Sequence, residues 1–371
     1  MAFVVTPWKV RGEVDYEKLI REFGVSKIDE KLAERIAKHA GHMHLYLRRG
    51  LFFSHRDLDR ILEEYENGKK FVLYTGRGPS GDTHIGHLVP WLFTKYLQDA
   101  FDADLYFQMT DDEKFLMREI SLEDAENYSR ENALDVIAIG FKEGKTKIFS
   151  DVEYIKELYR IAIQVAKRTT FSTAKAVFGF TNSSNIGIIF FPAIQAAPAF
   201  LAQMNEGRDV NCLIPCAIDQ DPYWRITRDV APLLKMPKPA AIHCKFIPGL
   251  QGTKGKMSSS EKDSAIYTTD SKEEVFRKIG NALTGGGATI KEHKEKGGKP
   301  EICVVYQWFF YLFEESDEKL RERFESCKAG ELMCGECKKE LSKCVWRFLE
   351  EHQRRRKEAE KKIEKFFIGK K

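Results

Sequence analysis

Apolar positions along the chain change their period repeatedly, and each change marks the edge of a predicted element. Phe71-Val-Leu-Tyr74 is a short unbroken apolar run, the pattern of a strand buried on both faces. Gly76, Gly78 and Gly81 break it, and from Thr83 the apolar residues Ile85, Leu88, Val89, Leu92 and Tyr96 recur at helical spacing. The alternation continues downstream. Strands are predicted over 104–109, 147–149, 211–218 and 241–246, and helices over 83–100, 125–139, 154–166 and 221–234. Strands separated by helices imply an α/β fold with a doubly wound parallel sheet, Rossmann-like, whose ligands sit at the carboxyl ends of the strands. Ahead of it, Phe3 to Val10 alternates loosely, as a short strand or hairpin arm does, and 29–39 and 57–65 carry amphipathic helical patterns. After Lys272 the pattern turns helical. Ser271-x-x-Glu274 predicts a capping box opening a helix to Leu283, followed by a glycine break at 284–288, an aromatic-rich stretch at 301–313 and charged amphipathic helices. The expected organisation is an N-terminal extension over 1–70, a nucleotide-binding domain over 71–270 and a C-terminal α-helical domain over 271–371.

Composition changes this picture little. A chain of 371 residues, 43% hydrophobic and 31% charged, is long enough for about two domains and has the balance of a folded protein. The net charge of +4 does not by itself argue for nucleic acid. Its distribution does more: from His352 to Lys371 nine Lys/Arg face three Glu, a basic tail suited to an RNA backbone or to a solvated helix face. The uncharged run that Glu206 closes, from Ile186 to Asn205, has the length of a membrane span. Pro192, Gln195, Pro198, Gln203 and Asn205 interrupt it, so a buried segment lining a site is expected, and no membrane. Met1 to Val10 carries Pro7 and Trp8 and does not read as a secretory signal; free thiols and a cytoplasmic location are expected for the eight cysteines.

The candidate chemistry gathers behind the first strand. A strand, a glycine turn and a helix leave backbone N–H groups aimed where a phosphate can sit. His84 and His87, three apart, share one face of the first helical turn and can donate to an oxyanion, which points to a nucleotide triphosphate. Gly76-x-Gly78-x-x-Gly81 also fits a dinucleotide fingerprint, but Pro79 lacks the N–H that a pyrophosphate cradle needs. Far downstream, Lys254-Gly-Lys256-Met257-Ser258-Ser259-Ser260 is a basic, hydroxyl-rich loop. Cys327, Cys334, Cys337 and Cys344 have a spacing that could ligate zinc but is not that of a zinc knuckle, and no metal site is assigned.

Thr83-His84-Ile85-Gly86-His87 and Lys256-Met257-Ser258-Ser259-Ser260 resemble the two signature sequences of class I aminoacyl-tRNA synthetases. With Gly76-Arg-Gly-Pro-Ser, Gln108-Met-Thr-Asp-Asp-Glu113, Phe191-Pro-Ala-Ile-Gln195-Ala-Ala-Pro and Ala217-Ile-Asp-Gln220-Asp-Pro-Tyr223, the resemblance narrows to the eukaryotic and archaeal tryptophanyl-tRNA synthetase family, from about Val5 to Arg356. One departure is Ser259, where the family's general loop has a second lysine.

The resemblance implies activation of L-tryptophan by ATP with Mg²⁺, then transfer to tRNA(Trp), by a homodimer whose helical domain binds the anticodon. It implies His84, His87, Lys256, Ser258 and Ser260 as catalytic. Gly76, Arg77, Gly78, Gly86, Met257, Val5 and Val10 would join them around ATP. Tyr74 and Gln108 would meet the indole N–H, and Glu113, Gln195 and Gln220 the α-ammonium. Strands and helices already fill the interval between the signatures, leaving no room for an editing domain. A tyrosyl-tRNA synthetase, an adenylating nucleotidyltransferase and a non-catalytic RNA-binding relative are the alternatives.

Overall fold

The computed structural model describes residues 3–12, 14–206, 210–252, 257 and 262–369. Of the loop at 254–260 only Met257 is among them; Lys254, Lys256, Ser258, Ser259 and Ser260 lie outside the described residues.

The arm is a hairpin of β1 (Val4–Thr6) and β2 (Lys9–Arg11), antiparallel, with Val5 opposite Val10. Five parallel strands form the expected doubly wound centre: β5 (Phe71–Arg77), β6 (Leu105–Met109), β7 (Thr146–Ser150), β8 (Asn211–Ala217) and β9 (Ala240–Cys244). The sheet does not stop there. β3 (Ser26–Lys27) and β4 (Phe52–Arg56), from the predicted extension, pair antiparallel along the edge of β9, so the sheet has seven strands in the order β3-β4-β9-β8-β5-β6-β7. These two were not assigned to the sheet from sequence, because a two-residue strand and the run FFSHR carry almost no period of their own.

Element edges show where tertiary contacts override local pattern. The helix after Ser271 spans Lys272–Gly280 and stops short of Leu283, whose N–H bonds instead to the carbonyl of Leu250 at 2.7 Å. The helix predicted over 221–234 is α-helical over Asp221–Val230 and tightens into a 3₁₀ turn over Ala231–Leu234, which contains Pro232. The run Ile186–Asn205 is apolar and long enough to span a membrane by length and composition, yet 67% of its most apolar window is buried, and its Phe191 and Gln195 line a cavity.

The C-terminal part is helical. Its longest element, Cys334–Glu360, packs along the helices Leu122–Ala138 and Lys272–Gly280. Much of the basic tail is occupied. Arg356 pairs with Glu131 and Asp135, His352 lies 2.9 Å from Asp135, and Lys365 pairs with Glu143. Beyond it the chain returns to the sheet edge, where Ile368 N–H donates to Ile148 C=O at 2.9 Å. Arg354 and Arg355 remain exposed beside Glu351. All eight cysteines are unpaired, and no three His, Cys, Asp or Glu side chains among the described residues stand at metal-binding spacing.

Candidate active site

The strand order reverses between β5 and β8, and at their carboxyl ends the sheet opens into a cavity of about 290 Å³. Two kinds of wall meet there. Tyr74, Phe191, Tyr223 and Trp224 make an aromatic end, while Arg77, Gly78, His84, Gly86 and His87 make a polar end. Trp8, at the tip of the hairpin, packs on Phe178, Phe180 and Tyr223, and the neighbouring Pro7 reaches the cavity itself.

Local chemistry builds the polar end. Gly76 must be glycine, because a Cβ would lie 2.8 Å from the carbonyl oxygen of Gln108 on the neighbouring strand. A Cβ on Gly78 would strike the Lys114 side chain. At the mouth of helix Ile85–Phe101 the rings of His84 and His87 stack with centroids 3.5 Å apart, and the N–H of His84 donates to His87 Nδ1 at 3.2 Å. That bond places the proton of a neutral His87 on Nε2, which lies 3.1 Å from Arg77 Nη1, another donor. Two donors facing each other form a pocket that an oxyanion relieves.

Arg77 strengthens this reading. Its Nε donates to Asn132 at 3.0 Å, its Nη2 is buried without a hydrogen-bond partner, and no carboxylate among the described residues pairs with it. Burial pushes its guanidinium down to about 10, only partly countered by Asp135 and Glu113. A cation kept in such a place without a protein counter-ion is suited to an anionic ligand.

The first signature stretch pairs here with the segment around Tyr267, beside Met257. Ile85 N–H donates to Ile266 C=O at 3.0 Å and Thr268 N–H to Thr83 C=O at 2.9 Å, with an antiparallel bridge between His84 and Tyr267. Met257 is 4% exposed, and its Cβ would lie 3.6 Å from a Cβ built on Gly86. Met257 therefore lies on the same side of the sheet as the histidines.

Of the residues singled out from sequence, Tyr74, Gly76, Arg77, Gly78, His84, Gly86, His87, Glu113, Gln195, Gln220 and Met257 all line the cavity. Three others do not. Val5 packs against Leu19, Phe53 and Ile218, and Val10 sits opposite it in the hairpin. Gln108 lies behind Tyr74, fully buried. Gln195 Oε1 is buried without a hydrogen-bond partner, an acceptor open to a cationic group. Glu113 Oε2 accepts from Thr110 Oγ1 at 2.9 Å and pairs with Lys114 at 2.8 Å. Sequence reasoning missed Lys114 and Lys245, which no motif marks. Lys245 also lines the cavity, its charge set over the rings of Tyr16, Phe53 and Tyr311, and burial lowers its pKa.

A group of carboxyls, Asp111 and Asp151 buried and Asp112 half-buried, stands behind Glu113. Burial and the charge of its neighbours raise Asp112 to about 7, and Asp151 is likewise raised, so the two share a proton. That proton also accounts for Asp112 Oδ2, which is otherwise an unsatisfied buried acceptor. Because the folded state holds the proton more tightly than the unfolded chain, the stabilisation is complete below the ordinary carboxyl range and is lost as pH rises through about 7. Asp112→Asn is therefore expected to gain thermal stability relative to the unsubstituted protein between pH 5 and 8.5. A melting-temperature difference that stays flat across that range would refute the shared proton.

Comparison with known proteins places the chain. A family model described as tRNA synthetases class I (W and Y) matches residues 66–350. A tryptophan–tRNA ligase of Thermococcus onnurineus is 56% identical over 367 residues, covering 98% of this chain and 94% of that one. Among solved structures, a product-bound parasite tRNA synthetase superposes with a TM-score of 0.91 at 44% identity, covering 96% of this chain and 97% of that one. The tryptophanyl-tRNA synthetase of Plasmodium falciparum gives a TM-score of 0.88 at 42% identity, covering 96% and 95%.

Proposed function

The chain belongs to the class I aminoacyl-tRNA synthetases of the tryptophan and tyrosine type, and from that premise we propose that it is a tryptophan–tRNA ligase. It joins L-tryptophan to ATP, releasing pyrophosphate, and then passes the tryptophanyl group to tRNA(Trp). The observation that carries this reading is the backbone pairing of the histidine stretch with Tyr267 at the rim of an aromatic cavity.

In the first step a carboxylate oxygen of tryptophan attacks the α-phosphorus, and the bond from that phosphorus to the bridging oxygen breaks as pyrophosphate leaves. No net proton transfer is needed, so catalysis comes from positioning and from donors around the developing charge. Arg77 and the His84–His87 pair take the phosphate oxygens. Lys256, Ser258 and Ser260 are assigned to the leaving pyrophosphate. Gln195 Oε1, Gln220 and Glu113 face the α-ammonium, and the aromatic wall receives the indole. Mg²⁺ would enter with ATP and neutralise charge on its phosphates; the polar end of the cavity offers mainly nitrogen donors, so the ion's oxygen ligands would come from ATP and water. In the second step a hydroxyl of the terminal ribose of tRNA, the 2′-hydroxyl by class, attacks the adenylate carbonyl and AMP leaves. The helical part over 271–371 is assigned to the anticodon, 71–270 to the chemistry and 1–70 to covering the cavity. A cytoplasmic homodimer completes the assignment.

Exchange of labelled pyrophosphate into ATP, measured with each of the twenty amino acids in turn, tests it. Exchange with tryptophan alone is expected. Exchange that prefers tyrosine, or none with any amino acid, overturns the assignment.

A further inference from the structure

Behind the cavity lies a layer of polar groups that the reaction does not touch. The parallel register of β6 and β7 sets Gln108 beside Phe149, and two residues further the chain enters helix Asp151–Ala166, so Asp151 comes to rest against the Gln108 amide. Gln108 Nε2 donates to both Asp151 oxygens at 2.8 Å, and Gln108 Oε1 accepts from the Tyr74 hydroxyl. Tyr74 Oη also lies 3.0 Å from the carbonyl oxygen of Gln195. Gln108, Asp151 and Tyr74 are at most 1% exposed, so water does not compete for these bonds.

Amide orientation decides what Tyr74 can offer a ligand. With Oε1 toward Tyr74, the phenolic proton is directed to protein acceptors, and the oxygen presents a lone pair to the cavity. With the amide reversed, Nε2 would donate to that oxygen and use up the lone pair. The Asp151 carboxyl blocks the reversal, because Oε1 turned toward it would set acceptor against acceptor. The proton retained by Asp112 and Asp151 lies between those two groups and leaves Asp151 able to accept from Gln108.

We propose that Asp151 is a positioning residue for amino-acid choice: it locks the Gln108 amide, and the locked amide leaves the Tyr74 oxygen as acceptor for an indole N–H. This rests on the assignment of tryptophan as substrate and adds how the donor on its ring is read. A site built around such an acceptor discriminates strongly against a ring without the donor. Asp151 touches neither substrate nor ATP. Its contribution should appear only for a ligand that carries the N–H.

Pyrophosphate exchange on the full-length protein, run with L-tryptophan and with β-(3-benzothienyl)alanine, which has sulfur in place of the N–H, separates positioning from general support. Asp151→Asn is isosteric and lets the Gln108 amide reverse; Asp151→Ala removes the carboxyl that blocks the reversal. In each, the ratio of kcat/KM for tryptophan to that for the sulfur analogue is expected to fall about 10–100-fold, the effect of one buried hydrogen bond, mainly through KM for the amino acid. KM for ATP should stay within about twofold. Circular dichroism and the thermal transition report folding, and if Asp151→Asn does not fold the Asp151→Ala ratio decides. An unchanged ratio in a folded variant, whether both substrates are lost together or neither is, overturns the proposal. Unsubstituted protein that fails to activate tryptophan overturns the substrate assignment instead, and the two failures are therefore distinct.

Discussion

Arg77→Met is expected to lower tryptophan-dependent pyrophosphate exchange by about 10²–10³-fold while raising the thermal stability of the ligand-free protein. Both halves follow from one feature. The Arg77 guanidinium sits in the cavity wall with no carboxylate partner among the described residues and with Nη2 unpaired. Without ligand, that charge carries an uncompensated desolvation cost, which methionine removes at similar volume. In the proposed reaction the same charge would meet phosphate oxygens beside His87 Nε2, where low dielectric makes it count most as charge builds on the leaving group. Steady-state kinetics against ATP and a melting curve without ligand provide the two readouts. Activity within threefold of the unsubstituted protein would remove Arg77 from the reaction. A fall in both activity and melting temperature would make it a structural group.

Arg56→Met should cost about 3–5 kcal/mol of folding stability, the range for stranding one member of a buried ion pair. Arg56 grips Asp221 with two parallel bonds of 2.6 and 2.8 Å and donates further to the carbonyls of Phe23 and Gly24. Asp221 is 0% exposed and has His243 Nε2 3.3 Å away. Burial alone would raise the Asp221 pKa; the bonds from Arg56 and the contact with His243 outweigh it and hold the carboxyl at about 2. With a folded pKa below the unfolded one, the stabilisation is present above the ordinary carboxyl range and is lost as pH falls toward 2. The gap between variant and parent, measured by urea denaturation, should therefore be largest near neutral pH and close in acid. A deficit below 1 kcal/mol at pH 7 would show that the pair is not needed. The bond also ties β4 to helix Asp221–Val230, which carries Tyr223 into the cavity and follows directly on Gln220, so a loss of tryptophan affinity should accompany the loss of stability.

The polar end of the cavity was the most legible part of the chain. Its residues Gly76, Arg77, Gly78, His84, Gly86 and His87 follow one another in a single strand–turn–helix, whereas the close approach to Gln108 that requires Gly76 comes from the parallel pairing of β5 with β6. The aromatic end was less legible. Tyr74, Gln195 and Gln220 were found through motif resemblance, since a lone buried amide has no pattern to distinguish it from a structural one. Gln108 was singled out for the indole N–H; it stands behind Tyr74, outside the cavity lining, with its Oε1 accepting from the Tyr74 hydroxyl. Asp151 was not found at all, because nothing in Ser150-Asp-Val-Glu153 separates it from an ordinary helix N-terminus.

Strands β5 to β9, the helices between them and the placement of the glycine turn before His84 are determined by the sequence itself. Their causes are local: apolar period, glycine breaks, and caps such as Ser121, Ser150 and Ser271. Only the tertiary structure decided that β3 and β4 join the sheet, that Tyr267 pairs with His84 beside Met257, and that Asp151 meets Gln108. Each of these is a hydrogen bond or close contact between segments distant in the chain, fixed by strand order and register, and a one-dimensional pattern holds no record of which strand lies next to which.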